Sequence, residues 1–384
     1  MIDAIALALF AVSAVVTFYV YFGYPVLIWT MARLRPRPVR KGEVTPSATL
    51  VVPVYNEEKV VGRKITNSIA LDYPADRLEV LFVSDGSTDG TAAIIRSAGA
   101  ANVRLLELPR SGKAAALNTG AEAARGEILV FTDANVELAP DALRILARSF
   151  ADPEVGGVSG RKKSIIRRGA DTTELGENLY WRWDQWQKEL ESAIGSIFAA
   201  DGTLYAVRRS LYVPIDDPAQ ADDIAISARV VLQGYRLTIE PDAVAFEEAP
   251  AEGWDEFRRK VRVTNHSVRA LLNLGGALWR SGFYSVELLS HKLVRHLIPF
   301  FLLAIVFSSA VLAVHSTVLR IILLLQAAFY TLAAAGALLR RTRIGSNKLL
   351  SVPYYFCLVN AAALAGVFSI LRGRRVREWK PRST

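Results

Sequence analysis

The chain has 384 residues, which is too long for a single small hydrophobic core, so two or more structural units are expected. Its formal net charge is +9, but no basic face interleaved with aromatic residues is visible in its polar part, which argues against nucleic-acid binding. The single cysteine, Cys357, excludes a disulfide framework and a cysteine-based metal site.

An apolar segment at the N-terminus, residues 4–31, is long enough to cross a hydrocarbon core of about 30 Å. No basic residues precede it and a basic stretch follows it, which argues against a signal peptide. Aromatic residues near its end are typical of an interfacial belt: Tyr19, Tyr21, Tyr24 and Trp29. We predict a transmembrane helix over residues 1–32 with the N-terminus outside, then a basic linker over 33–47.

From residue 48 onwards, short apolar runs alternate with segments of helical spacing. The predicted strands are Leu50–Val54, Val80–Val83, Val103–Leu108 and Ile128–Thr132. The predicted helices are Val60–Ala70, Ala92–Ala98, Ala114–Ala124 and Asp141–Phe150. This alternation predicts an α/β fold with a doubly wound, mostly parallel sheet, in a cytoplasmic domain that spans residues 48–250.

Three of the predicted strands end in polar residues, and the carboxyl ends of parallel strands form the ligand crevice of open α/β sheets. The first run leads into Tyr55 and Glu57, the second into Asp85, and the fourth into Asp133 and Asn135. The sequence therefore predicts one polar site that holds a metal and a phosphorylated ligand.

The rest of the chain is less regular. Residues 251–290 are amphipathic and arginine-rich, and they either lie in the membrane interface or pack on the soluble core. Within residues 291–384, apolar segments near 293–314, 318–339 and 350–371 predict membrane helices. Alternating spans would place the C-terminus outside, whereas its basic cluster argues for inside. A re-entrant or interfacial segment at 350–371 is one resolution.

Asp133 and Asn135 are candidate ligands of Mg²⁺ or Mn²⁺, because a carboxylate and a second oxygen donor two residues on suit these ions. The alternative is a turn or a helix N-cap, both of which favour Asp and Asn. Asp85 is a candidate acceptor for the N–H edge of a nucleotide base, or a cap of the next helix. Lys113 follows Gly112 and would contact a diphosphate, although a Gly-Lys pair alone is weakly specific.

Asp222 and Asp223 begin a further predicted helix, Asp222–Leu232, just before its apolar residues. They are either a helix cap with a first-turn charge or a general base whose neighbour raises its pKa. On sequence alone the cap is the simpler interpretation.

Taken together, the motifs resemble those of membrane-embedded family 2 glycosyltransferases of the GT-A fold, such as cellulose, hyaluronan and poly-N-acetylglucosamine synthases. The resemblance covers residues 48–270. In chain order its motifs are Val54-Tyr55-Asn56-Glu57-Glu58, Ser84-Asp85-Gly86-Ser87-Thr88-Asp89, Gly112-Lys113, Asp133-Ala134-Asn135, Asp222-Asp223 and Arg259-Lys260-Val261-Arg262.

The resemblance implies a role for each matching residue. Donor nucleotide binding is implied for Pro53, Tyr55, Glu57, Asp85, Lys113, Asp133 and Arg262. Metal binding is implied for Asp133 and Asn135, and acceptor binding for Asp201 and Gly202. Asp223, with Asp222 beside it, matches the general base.

Two departures from the family pattern bear on function. Asn135 replaces an acid of the metal motif and lowers the negative charge there. Val263 stands where the family's processive members have a tryptophan, which argues against processive synthesis.

The expected function is inverting, metal-assisted transfer from a nucleotide sugar, preferably a UDP-sugar, to a glycan or lipid-linked acceptor at the cell inner membrane. The alternative is a membrane partner of a synthase that binds nucleotide sugar without catalysis.

Overall fold

The computed structural model describes residues 1–165, 173–248, 253–342, 344–345 and 347–374. Most of the basic cluster predicted at the C-terminus lies outside these residues. The α/β sheet and the apolar helices predicted from the sequence are both present.

Within the described residues, four helices are long and apolar enough to cross a membrane, and we name them M1 to M4. Their bounds are Ile2–Leu34, Phe283–Leu312, Thr317–Leu339 and Lys348–Leu371. M1 and M2 each contain one turn of π-helix, at Tyr19–Gly23 and Leu288–Leu293. The observed bounds match the four predicted apolar segments within a few residues, apart from the longer start of M2.

A single sheet of eight strands forms the centre of the polar part of the described chain. In chain order, strands β1 to β8 are Ala48–Val54, Leu78–Asp85, Val103–Leu108, Ile128–Phe131, Glu137–Leu138, Val155–Ile165, Tyr205–Arg208 and Arg236–Glu248. Their order across the sheet is β3-β2-β1-β4-β7-β6-β8-β5. The first four of these run parallel, whereas β7 runs antiparallel to both β4 and β6, so the sheet is mixed.

Eight further helices, α1 to α8, surround the sheet. They are Glu58–Ile69, Thr91–Arg96, Lys113–Ala123, Ala142–Arg148, Thr173–Ile194, Asp222–Leu232, Gly253–Asn273 and Ala277–Arg280. Short 3₁₀ turns occur at Ala75–Arg77, Ser149–Ala151 and Arg209–Leu211.

Both faces of the sheet are covered, as the near-continuous apolar runs of its strands require. On β1, Leu50 and Val52 pack into a core with α1 and α4, while Val51 faces the other side and packs with α3 and α6. Because β1 runs parallel to both β2 and β4, the carboxyl ends of these three strands lie together at one edge of the sheet.

The basic linker of residues 33–47 is held against the α/β domain by ion pairs. Lys41 Nζ lies 2.8 Å from the buried Glu240, and Arg37 and Arg40 pair with Glu154 and Asp152. These contacts fix the exit of M1 relative to the sheet.

The amphipathic segment after residue 251 forms α7, which packs against both α6 and M4. Gly366 of M4 permits close packing here, because a Cβ on it would lie 2.7 Å from Thr264 of α7. The helix therefore packs on the α/β domain, one of the two alternatives drawn from the sequence, and it also contacts an apolar helix.

Candidate active site

A cavity of about 780 Å³ lies at the carboxyl edge of the sheet and extends to helices M1, M2 and M4. Most of the residues predicted from the sequence line this one cavity: Pro53, Glu57, Lys113, Asp133, Asn135, Asp201, Gly202, Asp222, Asp223 and Arg262. Tyr55 and Asp85 lie beside it, behind the loop that leads to Lys113.

Lys113, the first residue of α3, connects two of the predicted acids. Its Nζ lies 2.9 Å from Asp133 Oδ1 and 3.0 Å from Asp222 Oδ2. Burial alone lowers the pKa of Lys113, but the charges of Asp133 and Asp222 outweigh burial and raise this pKa above its usual value. A fixed ammonium charge therefore stands between the end of β4 and the start of α6.

The loop that carries Asp133 and Asn135 rests on a buried lysine. Lys64 Nζ donates to the backbone oxygen of Val136 at 2.7 Å and to Thr132 Oγ1 at 3.3 Å. Burial lowers the pKa of Lys64 to about 7, against the opposing charges of Asp133 and Glu137. Lys64 thus holds both ends of the loop from inside the fold.

The oxygen donors of this loop suit a divalent cation. Asp133 and Asn135 both line the cavity, so an ion bound there can reach their side-chain oxygens. Within the described ranges no group of three or more His, Cys, Asp or Glu side chains is close enough to cage a metal. Such a donor set fits an ion that shares its coordination with substrate phosphates, as Mg²⁺ usually does.

Asp223 lies in the first turn of α6, where Ala221 takes the N-cap position. Neither acid is therefore the N-cap, so that part of the cap interpretation is wrong. Both acids lie in the first turn of α6. Asp223 Oδ1 accepts from its neighbouring backbone N–H, on Ile224, at 2.8 Å. Burial, and then the charge of Asp222, raise the pKa of Asp223 to about 6, while Lys292 opposes them.

Gly202 lies against this carboxylate. A Cβ on Gly202 would stand 3.3 Å from Asp223 Oδ2, so glycine keeps that oxygen open toward the cavity. The preceding residue, Asp201, shapes the loop: its Oδ1 accepts from the backbone N–H and the hydroxyl of Thr203. Both residues line the cavity beside Asp223, where acceptor binding was predicted.

Asp85 holds the loop that presents Lys113. Its buried carboxylate accepts from the backbone N–H groups of Ser111 and Gly112, at 2.6 and 2.9 Å, and pairs with the guanidinium of Arg110. Arg110 in turn lies 3.6 Å above the ring of Tyr55. The cap alternative for Asp85 fails, because Asp89 accepts from the first N–H of α2, on Thr91. Base recognition by Asp85 stays a prediction.

Sequence reasoning missed the cationic residues that M2 brings into the cavity. His291, Lys292, Arg295 and His296 all line it, together with Lys188 of α5. They lie at the start of an apolar segment, where ionisable residues are costly and commonly functional. This signal was present in the sequence.

Comparison with known proteins places these residues in a family. Residues 49–212 match the family model described as Glycosyl transferase family 2. The chain is 26% identical over 236 residues to "Probable glycosyltransferase YdaM" of Bacillus subtilis (strain 168). It is 28% identical over 226 residues to a poly-beta-1,6-N-acetyl-D-glucosamine synthase of Staphylococcus aureus (strain COL). The chain spans about half the length of these curated relatives, since each alignment covers 53% of the relative and 56% of this chain.

A solved structure matches nearly the whole chain. It is the mannosyltransferase PcManGT from Pyrobaculum calidifontis in complex with GDP-Man and Mn²⁺, which is 27% identical with a TM-score of 0.71. The match covers 97% of this chain and 99% of that one, including the apolar helices. Residues 49–212 therefore match a family 2 glycosyltransferase domain, and the mixed sheet around them is that of the GT-A fold.

Proposed function

We propose that the chain is a membrane-bound inverting glycosyltransferase, which moves a sugar from a nucleoside diphosphate sugar to a hydroxyl of a polysaccharide or lipid-linked acceptor. The observation that carries this proposal is that Asp223 lines the same cavity as Lys113, whose ammonium group pairs with both Asp133 and Asp222. One cavity then offers a base for the acceptor and a charged site for the leaving diphosphate.

In the proposed reaction Asp223 accepts the proton of the acceptor hydroxyl through Oδ2, the oxygen that Gly202 leaves open. The acceptor oxygen bonds to the anomeric carbon while the bond from that carbon to the phosphate oxygen breaks. The diphosphate leaves with the bonding electron pair. Lys113 and Arg262, both in the cavity wall, stabilise the charge that develops on it.

Asp133 and Asn135 would hold Mg²⁺ or Mn²⁺, and the bound ion would act as a Lewis acid on the leaving diphosphate. Mn²⁺ accompanies GDP-Man in the structure of PcManGT, which supports use of a divalent ion. Lys64 positions the same loop by binding its backbone, so the protein orients these two oxygen donors from inside the fold.

Two donors are candidates. The sequence favours a UDP-sugar, whereas PcManGT, which matches along the whole chain, binds GDP-Man. Purified full-length protein should be incubated with radiolabelled UDP-sugars and GDP-mannose in the presence of Mn²⁺, and release of the nucleoside diphosphate should be measured. Release from at least one donor is expected. Binding of a donor without release, in the presence of membrane extract as the acceptor source, would favour the non-catalytic partner instead.

The raised pKa of Asp223 predicts the pH dependence of transfer. A base must be ionised to accept a proton, so the turnover rate should fall as the pH drops below about 6, the pKa of Asp223. An ordinary aspartate would keep its activity down to a pH of about 4. Replacing Asp222 by asparagine removes one of the charges that raise this pKa, so the inflection should move to lower pH. A wild-type inflection near 4, or none above it, would contradict the assignment.

The packing of M4 supports a particular membrane arrangement. M4 lies along α7 from one end to the other: the hydroxyl of Tyr355 donates to Glu256 at 3.5 Å, and Arg269 donates to the backbone oxygen of Arg374 at 2.8 Å. α7 carries Arg258, Arg259, Lys260 and Arg262, too many cations for a spanning helix.

M4 also contacts M3 and M2. Leu350 packs against Gly336 near the end of M3, and Phe368 packs against Phe300, near the middle of M2. The far ends of M1, M2 and M3 pack on each other through Ala6, Leu312 and Leu319. We propose that M1, M2 and M3 cross the inner membrane and that M4 lies at its cytoplasmic face.

This arrangement predicts a cytoplasmic C-terminus, which the basic residues there favour. In a background with Cys357→Ser, a cysteine introduced as Thr384→Cys should stay unlabelled by an impermeant maleimide on intact cells. A cysteine introduced as His315→Cys, between M2 and M3, should be labelled. Labelling of both positions from outside would show that M4 spans the membrane.

A further inference from the structure

Glu191, near the end of α5, has a fully buried carboxylate that contacts three separate parts of the chain. Its Oε1 accepts from the hydroxyl of Tyr24, in M1, at 2.6 Å, and lies 2.6 Å from Nδ1 of His291, in M2. Its Oε2 accepts from the backbone N–H of Phe198 at 3.3 Å. Because a carboxylate can accept at several positions, Glu191 joins M1 and M2 to the chain that follows α5.

The imidazole of His291 faces an acid at each of its nitrogens. Its Nε2 lies 3.2 Å from Oδ1 of Asp184, which is also on α5. The protonated ring can donate to both carboxylates. Asp184 in turn pairs with Arg295 at 3.2 Å and with Lys188 at 3.8 Å. These contacts fix the position and the orientation of the ring, and they place an opposite charge beside it, as burial of a charge requires.

Phe198 is bound by this cluster through its backbone and its ring. Its N–H donates to Glu191, and its backbone oxygen accepts from the hydroxyl of Tyr284, in M2, at 2.8 Å. The centre of its ring lies 4.4 Å from that of His291. Both backbone hydrogen-bonding groups of Phe198 are therefore satisfied by side chains of α5 and M2, so its position depends on theirs. We call four of these residues the polar junction: Tyr24, Glu191, Tyr284 and His291.

Phe198 begins a loop that reaches the proposed base, and we call residues 198–202 the acceptor loop. The backbone N–H of Ala200 donates to Ser227 Oγ at 3.1 Å, and this hydroxyl donates to the backbone oxygen of Asp223 at 2.6 Å. At the end of the loop, Gly202 lies against Asp223 Oδ2. The acceptor loop thus contacts the polar junction at its start and the turn of Asp223 further on.

The donor side of the cavity is fixed by other contacts. Lys64 of α1 binds the loop that carries Asp133, and Asp85 of β2 binds the loop that presents Lys113. These contacts come from the α/β domain and not from a membrane helix. A change in the polar junction should therefore affect the acceptor side of the cavity and leave the donor side intact.

We propose that Glu191 and Tyr284 are positioning residues of the acceptor site, and that through them M1 and M2 hold the acceptor loop against the proposed base. Glu191 and Tyr284 are not among the described residues that line the cavity, whereas Phe198 is, so they act through Phe198. The inference rests on the proposed function, because it takes Asp223 as the base. It makes sugar transfer, but not donor binding, depend on how M1 and M2 pack.

Removing single hydroxyl groups tests this inference with little disturbance of the fold. Tyr284→Phe leaves the buried Phe198 oxygen without its donor and should lower sugar transfer to a membrane extract by about 5- to 100-fold. Tyr24→Phe removes one of the donors to Glu191 and should lower transfer by about 2- to 10-fold. In both variants the affinities for UDP and GDP with Mn²⁺, measured by calorimetry on purified full-length protein, should stay at the wild-type values.

Tyr19→Phe is the matched control. Tyr19 also lies in M1, and its hydroxyl forms a 2.8 Å hydrogen bond with Ser290 of M2, so the same kind of contact is lost between the same helices. Transfer should stay at the wild-type rate. Hydrogen exchange read by mass spectrometry gives a measure that needs no activity: the acceptor loop should exchange at least about fivefold faster in Tyr284→Phe than in Tyr19→Phe.

A pair of substitutions tests the carboxylate itself. Glu191→Ala removes the contacts to M1, M2 and the acceptor loop together, and it should lower transfer by about 100-fold. Glu191→Gln keeps an oxygen that can accept from the N–H of Phe198, and it should recover at least about tenfold of that loss. Thermal unfolding of each variant should be measured on the same preparations.

Two results would overturn the inference. If transfer, nucleotide affinity and thermal stability fall together in Tyr284→Phe, the polar junction only stabilises the fold. If Tyr284→Phe transfers sugar and exchanges hydrogen as Tyr19→Phe does, M2 does not hold the acceptor loop. Failure of the proposed function would look different: the wild type would then transfer no sugar, while hydrogen exchange would still decide whether the polar junction fixes the loop.

Discussion

Replacing Asp223 by asparagine is expected to lower the turnover rate of sugar transfer by about 100- to 10,000-fold, the usual contribution of a positioned general base. The amide is nearly isosteric and keeps the acceptor of the Ile224 N–H, so α6 should begin as before. Donor affinity should change little, because Asp222, and not Asp223, pairs with Lys113 of the proposed diphosphate site. Turnover and donor binding should be measured on the same purified protein.

The control for this variant is Asp216→Asn. Asp216 undergoes the same chemical change but is exposed, where it pairs with Arg229 outside the cavity. Its turnover should stay at the wild-type level. If Asp223→Asn turns over like Asp216→Asn, another group must deprotonate the acceptor.

The largest effect on metal dependence is expected at Asp133. Asp133→Asn removes the one acid of the proposed metal pair and also a partner of Lys113, so transfer should fall by about 100-fold or more. After chelation, more Mn²⁺ should be needed to restore half of the remaining activity. Asp141→Asn, a charge change at the exposed start of α4, is the matched control and should behave as wild type.

The opposite change, which adds a carboxylate instead of removing one, tests the same proposed metal site. Asn135→Asp restores a second carboxylate to the motif, and it should lower the Mn²⁺ concentration needed for half-maximal activity. Carboxylate ligands raise the affinity of oxygen sites for divalent ions. If Asp133→Asn and Asn135→Asp leave the Mn²⁺ requirement unchanged, these residues do not bind the metal.

Much of the fold could be predicted because its central strands are apolar runs bounded by polar residues. β3 and α6 were predicted with their observed bounds, Val103–Leu108 and Asp222–Leu232. β6 was missed, since its sequence contains three glycines and three basic residues and shows no apolar run. Close packing explains glycine in this strand, because a Cβ on Gly156 would lie 2.6 Å from Tyr235. The residues that create this constraint, Leu211, Val230 and Tyr235, are far from Gly156 in the sequence.

The site residues divide in the same way: some could be predicted from the local sequence, and others depend on contacts that exist only in the folded protein. Asp133, Asp222 and Asp223 could be selected because each stands at the border of a predicted element. The Lys113–Asp222 pair could not, since its partners are far apart in the sequence and meet only when α3 and α6 cover the same face of the sheet. Lys292 and Arg295 were missed for a different reason: their position at the start of an apolar segment was visible, but that segment indicated a membrane helix rather than a cavity wall.

The stereochemistry of the transferred sugar tests the central claim most directly. Direct attack by an acceptor activated by Asp223 inverts the anomeric carbon, so an α-linked donor should give a β-linked product, and nuclear magnetic resonance of the purified product reads this configuration. Inversion is the result we predict. An α-linked product would require two displacements or a different mechanism, and Asp223 would then not be the base of a single-step transfer.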